Sequence, residues 1–377
     1  GSVKGDGVLR FNNDGNFTII HLTDSHLQFP LEPAIKQYII EAFDAVKPDL
    51  VVLGGDIITE SCVPNEFSEN PLKSAIEELC GIFTQRNIYF TITFGNHDRQ
   101  FGKDGETLMS YYSEYGGKYF LGYDADPELY GCGTHDLQIL SSNSDKVAYN
   151  LFMIDSGDSV FDENGNRLGY DSVRPDQINW YKNRVETLKA ENGGEVVPSM
   201  IFQHIIVQEI DDYVFYNVKH SAGKLGEDFD GRHYLFTPIP KIHNVKSGFV
   251  MEKPCPGYYN FGQLDAMKEM GDVVAVFSGH DHSNTFTVNI DGIDVVNSGG
   301  CKKQASMRLF TSGVRVIKLN EKHPRNYESE MLSITQLGKK DGSQILSYGY
   351  FPKIDIFITN IWDKAVNFVM SIVHLFK

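Results

Sequence analysis

The chain has 377 residues, an ordinary apolar content of 41%, a generous aromatic content of 12% and a formal charge of -16. That length supplies an ample core, and an acidic chain without a long Lys/Arg run disfavours duplex nucleic acid and anionic membrane as general partners, because both need clustered cations. The five cysteines, Cys62, Cys80, Cys132, Cys255 and Cys301, are odd in number and lack CxxC spacing, which argues against a zinc finger or a disulfide scaffold and leaves a bridge such as Cys132 to Cys255 open. No leader is visible and Gly1-Ser2 looks like a vector remnant, so secreted, envelope and cytoplasmic locations all stay open.

In chain order, residues 17–23 form a short apolar run that ends at Asp24-Ser25-His26. Pro33 opens a helix whose face carries Ile35, Tyr38, Ile39, Ala42, Phe43 and Val46. The run 50–55 ends at Asp56, and Asn70-Pro71 opens a second helix with Leu72, Ala75, Ile76, Leu79 and Phe83 on one face. Residues 88–95 lead to Asn96-His97-Asp98, residues 199–203 to His204, and residues 273–279 to His280-Asp281-His282. Such runs read as parallel strands buried on both faces, whose sites lie beyond their carboxyl ends. Residues 147–154 and 285–290, the latter followed by Gly292 and Val295-Val296, have the turn-punctuated look of antiparallel pairing.

The residue types at those ends suit metal. A carboxylate such as Asp56 can bridge two cations, and His, Asn and Asp complete mixed N/O shells that favour Mn, Fe, Zn or Co over Ca. Two divalent transition-metal ions about 3.5–4 Å apart can clamp the oxygens of an in-line phosphoryl displacement. Phosphate-ester hydrolysis is the natural use. His21 lies inside the first run and reads as structural, and His135, His323 and His374 read as packing or surface residues.

Together, Asp24-x-His26, Gly55-Asp56, Gly95-Asn96-His97-Asp98, His204 and Gly279-His280-Asp281-His282 resemble the calcineurin-like metallophosphoesterases in order and spacing. The resemblance spans residues 17–320 and is nearest to the branch of the fungal dosage-dependent cell-cycle regulator phosphatase and the plant purple-acid-phosphatase-like proteins. It implies an α/β fold of two packed mixed β-sheets flanked by helices. It also implies one metal held by Asp24, His26, Asp56 and His282 and another by Asp56, Asn96, His204 and His280. His97 would then protonate or stabilise the leaving oxygen, Asp98 would orient the His97 imidazole, and Arg99 would meet either a phosphoryl oxygen or a neighbouring acid. Purple acid phosphatases carry a tyrosine three residues after the bridging aspartate; Thr59 stands there, which implies a colourless enzyme working with divalent metals.

The expected layout is a catalytic domain over residues 1–320 and an extension over 321–377. The long segments 99–136 and 209–262 read as loops that wall the substrate pocket, the second rich in aromatics such as Tyr213, Tyr258 and Tyr259. Within it Arg232, His220, His233 and His243 are candidates to contact a phosphate. An amphipathic helix over 354–377 is expected to pack on its own domain or on a second subunit, with a membrane surface the less favoured alternative. The functional expectation is hydrolysis of a small phosphorylated monoester by a metal-bridging hydroxide. A phosphodiesterase acting on a nucleotide, glycerophosphodiester or lipid head group, or a non-catalytic binding module of the same fold, are the alternatives.

Overall fold

The computed structural model describes residues 7–58, 71–214, 244–302, 311–334 and Leu337. Strands Glu328–Ser333, Gly313–Asn320, Asn16–Leu22, Leu50–Leu53 and Tyr89–Ile92 lie side by side in a five-stranded sheet. An eight-stranded sheet runs through Leu9–Arg10, His135–Leu140, Val147–Met153, Ser199–Phe202, Val273–Ser278, Ile293–Asn297, Thr287–Ile290 and Val245–Ser247.

Side-chain alternation decides which layer each strand residue joins. Phe17, Ile19, Leu50 and Val52 face Leu151, Met153, Met200, Phe202, Ala275 and Phe277 in a core between the sheets. Their neighbours Ile20, Leu22, Val51, Leu53, Phe90 and Ile92 face outward onto helices Pro33–Val46, Pro71–Arg86 and Gly105–Gly116. On the other side Phe152, Ile154, Ile201 and Val276 meet helices Pro175–Glu191 and Gln263–Met270. The result is a helix/sheet/sheet/helix sandwich, and strands apolar on both faces are what its two middle layers demand.

Register aligns the strand ends. Leu22 pairs with Leu53 and Leu53 with Ile92, all parallel, while Phe202 pairs with Phe277 in the second sheet. The five loops that leave these ends therefore meet at one edge of the sandwich. Residues 147–153 pair antiparallel with His135–Leu140 but parallel with Ser199–Phe202, so the antiparallel expectation holds on one side of that strand only.

Two further expectations change. The segment 99–136 is no plain loop: Asp104 caps the helix Gly105–Gly116 by accepting from Thr107 N at 2.7 Å, and Leu108 and Tyr112 anchor it in the core. The first sheet also continues past residue 320, since Glu328–Ser333 pairs with Gly313–Asn320. Thr59, Arg232, His220, His233, His243, His374 and the helix expected over 354–377 lie outside the described residues.

Candidate metal centre

The loops after the strands are laced together before any side chain is considered. Asp24 N donates to Gly55 O and His26 N to Asp56 O, both at 3.0 Å. Asp24, His26, Asp56 and His280 all adopt left-handed backbone, with φ of 50°, 42°, 52° and 71°. That conformation costs energy for any residue with a Cβ, although Asp and His tolerate it better than most, and it concentrates at functional sites. Close approach also fixes residue type: a Cβ on Gly95 would lie 2.2 Å from Asp56 Oδ1, and one on Gly279 would lie 2.4 Å from Asp24 Oδ2.

Two hydrogen bonds cross the seam between the sheets at the candidate ligands. His204 Nδ1 lies 2.8 Å from Gly54 O, and His280 N donates to Asp24 Oδ2 at 2.9 Å. The first fixes Nδ1 as a protonated donor, so Nε2 is the nitrogen that presents a lone pair whenever the ring is neutral. That Nε2 points at Asp56 Oδ2, 3.1 Å away, and lies 3.9 Å from Asp24 Oδ1. His282 Nε2 lies 3.4 Å from Asp24 Oδ1 and 3.3 Å from His26 Nε2.

Two groups follow from this convergence: Asp24, His26 and His282, and Asp56, His204 and His280, each with its ligand-capable atoms within 4.8 Å of one another. Asn96 is buried, and its Oδ1, with Asp24 Oδ1, His204 Nε2 and His280 Nε2, lacks a well-aligned hydrogen bond. Buried polar atoms are almost always satisfied, so four orphans on candidate ligands, all acceptors in their ligand form, fit a cation as the missing partner.

The electrostatics agree. Burial opposes ionisation of Asp24, yet the imidazoles of His204, His282 and His26 outweigh it and hold the carboxyl below the usual carboxylate range. Burial likewise opposes charge on His204, but Asp56 and Asp24 raise it to about 10. Burial lowers His26 to about 4 and His280 to about 3, which keeps both as neutral imidazoles. The carboxylates thus favour positive charge between them, as a cation site requires.

Of the three residues expected to do chemistry, His97 stands at the candidate centre, Asp98 takes a different task and Arg99 has a buried acid beneath it. Its ring, half-buried, stands edge-on to His26 with centroids 5.0 Å apart, and Nδ1 lies 3.1 Å from Gln100 Oε1. Asp98 does not orient that ring. Its Oδ2 accepts from Asp56 N and Gly95 N, both at 2.8 Å, so it welds the second and third loops instead. Arg99 pairs with the fully buried Asp155, which is the acid its sequence context left unspecified.

Several supporting residues carry no local sequence signal. His21 is buried between the sheets, 2.9 Å from Ser298 Oγ and edge-on to Phe202, as its position inside a strand suggests. Arg315, opposite His21 in the register and 2% exposed, donates to Ser298 Oγ, Ser329 Oγ, Thr285 O and Asn297 O. Asn297 Nδ2 in turn donates to Asp281 O and Asn284 O, gripping the loop of His280 and His282. Tyr170 stands edge-on to His280 with centroids 4.1 Å apart. Cys132 and Cys255 are free thiols. Among the described residues no helix is long and apolar enough to cross a membrane.

A two-sheet sandwich that gathers carboxylates and imidazoles from both sheets at one edge defines the metallophosphoesterase class. Residues 17–284 match the model of the Calcineurin-like phosphoesterase family, and the chain belongs to that family. It is 26% identical over 324 residues to "Probable inactive purple acid phosphatase 14" of Arabidopsis thaliana, across 78% of this chain and 72% of the relative. It is 25% identical over 304 residues to Phosphatase DCR2 of Saccharomyces cerevisiae, across 75% of this chain and 47% of that relative. A solved dimetal phosphatase from Danio rerio aligns at 11% identity with a TM-score of 0.48, over 84% of this chain and 99% of the other.

Proposed function

We propose that this chain is a dinuclear metal-dependent phosphatase that hydrolyses small phosphate monoesters. The observation that carries the reading is the set of orphaned, buried ligand atoms converging across the seam. Asp24, His26 and His282 would hold one cation, Asn96, His204 and His280 the other, and Asp56 would reach both. Such a pair, of Mn, Fe, Zn or Co, supplies charge neutralisation at phosphorus and a lowered pKa for water.

The chain's own residues supply the rest. Asp98 ties the Asp56 amide to that of Gly95, while His97 N donates to Asp56 Oδ1 at 2.8 Å and His204 Nε2 lies 3.1 Å from Asp56 Oδ2, so the orientation of that carboxylate is set from two sides. With Nδ1 turned to Gln100, Nε2 of His97 is the atom assigned to the leaving-group oxygen, where a proton is needed as the ester bond breaks. Tyr170 packs edge-on against His280, and Tyr258 N donates to Tyr170 O at 2.8 Å, which sets aromatic residues beside one cation group; a small ester is the reading tested first.

A relative named inactive raises a second reading, a binding module that keeps the fold without turnover. Against it, Asp24, His26, Asp56, Asn96, His97, His204, His280 and His282 all stand in place. The deciding experiment measures bound metal per chain and hydrolysis of para-nitrophenyl phosphate beside bis-para-nitrophenyl phosphate after stripping and reloading with Mn. Two equivalents of metal with turnover of the monoester support the proposal. Preference for the diester moves the reading to a phosphodiesterase, and bound metal with no turnover of either ester, or no bound metal, moves it to the binding module.

A further inference from the structure

Beside the candidate centre, three partly exposed side chains rest on three fully buried ones. Arg99 and Arg174 are 29% and 27% exposed in their side chains, and Tyr130 is 39% exposed. Beneath them Asp155, Asp171 and Gln177 are completely enclosed. Asp155 pairs with Arg99, and Asp171 pairs with Arg174 at 2.9 Å while accepting from the Tyr130 hydroxyl at 2.5 Å. Gln177 ties the cluster into one body: its Nε2 donates to Asp155 O at 2.6 Å and to Tyr130 O at 3.0 Å, while its Oε1 accepts from Arg174 N at 2.8 Å.

Each arginine is matched by one buried carboxylate, and Asp176 accepts from Tyr130 N at 2.7 Å, so the cluster offers fixed N–H donors and not net positive charge. Asp155 also accepts from Cys132 N and Gly157 N, and Asp171 from Ser172 N and the Tyr130 phenol, so each negative charge is shared among several donors. The Nε of each guanidinium is itself buried and has no hydrogen bond, so contact with a ligand falls to the outer, partly exposed nitrogens. Burying two ionised acids is costly, and here the outlay orients two cations at a partly open surface of a chain whose formal charge is -16. An aromatic floor completes the patch: the Arg174 guanidinium lies 4.7 Å from the Tyr130 ring centre and 5.5 Å from that of Phe261.

The cluster lies between the two ends of the candidate centre. Arg99 shares the turn His97–Phe101 with His97. Tyr170, which precedes Asp171, packs on His280, and Ser156, which follows Asp155, accepts from Ile205 N next to His204 at 2.9 Å. We infer that Arg99, Tyr130 and Arg174 form a second anion subsite, which takes a phosphoryl or carboxyl group on the leaving portion of the substrate. The inference rests on the phosphatase reading above and narrows its substrate class to small phosphate esters that carry a further oxyanion.

The test compares matched esters on Mn-loaded full-length protein: fructose bisphosphate against fructose monophosphate, and phosphoglycerate against glycerol phosphate. The wild type is expected to favour the doubly anionic member by about tenfold in kcat/KM, the scale of a charge-assisted contact. The better of the two pairs tells phosphoryl from carboxyl. Arg174→Gln is expected to collapse the ratio and Arg174→Lys, which keeps a cation over Asp171, to recover part of it. Arg184→Gln, a control on the same helix whose guanidinium pairs with Asp136, should leave the ratio where it was. Calorimetric binding of the same four compounds runs in parallel, so a protein that turns over no ester still reports on the subsite. Equal kcat/KM and equal affinity within both pairs, or ratios indifferent to Arg174→Gln and Arg174→Lys, overturn the inference. Absence of turnover with the binding preference intact overturns the phosphatase reading alone.

Discussion

The two ends of the sandwich make an instructive pair. At the end opposite the strand tips lies a groove of about 990 Å³, lined by Arg10, Asn12, Asn16, Asp49, Lys318 and Glu328 among others. There polarity is spent on local pairing: Arg10 reaches Asp145, Asn12 reaches Asn16 O and Asp49, and Lys318 faces Glu328. At the strand tips Asp24, Asp56 and His204 are buried and His26, His280 and His282 half-buried, several of their ligand atoms lack hydrogen bonds, and four of these residues hold left-handed backbone. A groove of that size does not by itself mark a functional site. Unsatisfied buried polarity on a strained backbone distinguishes the end built for chemistry from the end that merely has room.

That contrast can be broken most directly at Asp56. Asp56→Asn removes the carboxylate between the two groups, and the expected result is loss of all metal-dependent turnover together with at least one equivalent of bound metal, read by elemental analysis. His97→Ala should keep the metal and lower kcat by ~10²–10⁴-fold, the usual worth of a positioned acid; loss of metal along with turnover would mean the ring holds the centre together instead.

Arg315→Gln sharpens the comparison from beneath. It leaves carbonyls of the His282 loop without their donor, and a stability loss of about 3 kcal/mol in urea unfolding is expected, with weakened metal affinity by titration. Gly95→Ala drives a methyl group into Asp56 and should cost about 1–3 kcal/mol, seen as a lower melting temperature. Lys318→Ala, in the large groove, should change stability by less than about 0.5 kcal/mol and turnover not at all. A marked loss of activity there would overturn the division of labour between the ends.

What could be read from the sequence divides along a physical line. Residues 24, 26, 56, 96, 204, 280 and 282 were legible because each follows a strand, and aligned parallel strands bring consecutive tips together whatever the intervening chain does. Helices Pro33–Val46 and Pro71–Arg86 were legible from their apolar faces. Asp98 was misread because neighbours in sequence need not be neighbours in bonding: its carboxylate turns back to two amides instead of forward to His97. Arg99 with Asp155, Tyr130 with Asp171 and Arg315 with Asn297 are pairings between distant segments, and no local pattern marks them. Helix Gly105–Gly116 did carry a signal, an aspartate cap followed by Leu108 and Tyr112 at helical spacing, hidden by the glycines and tyrosines around it.

Strand Asn16–Leu22, which delivers the first candidate ligands, is paired on one side with Leu50–Leu53 and on the other with Gly313–Asn320. In a chain made from its amino terminus, Asp24 and His26 are made long before His280, His282 and the Arg315 that lies beneath them. The centre therefore cannot mature gradually as the polypeptide lengthens. The site is complete only once strand Gly313–Asn320 has returned beside Asn16–Leu22, so any cation it holds would be captured after both strands are made.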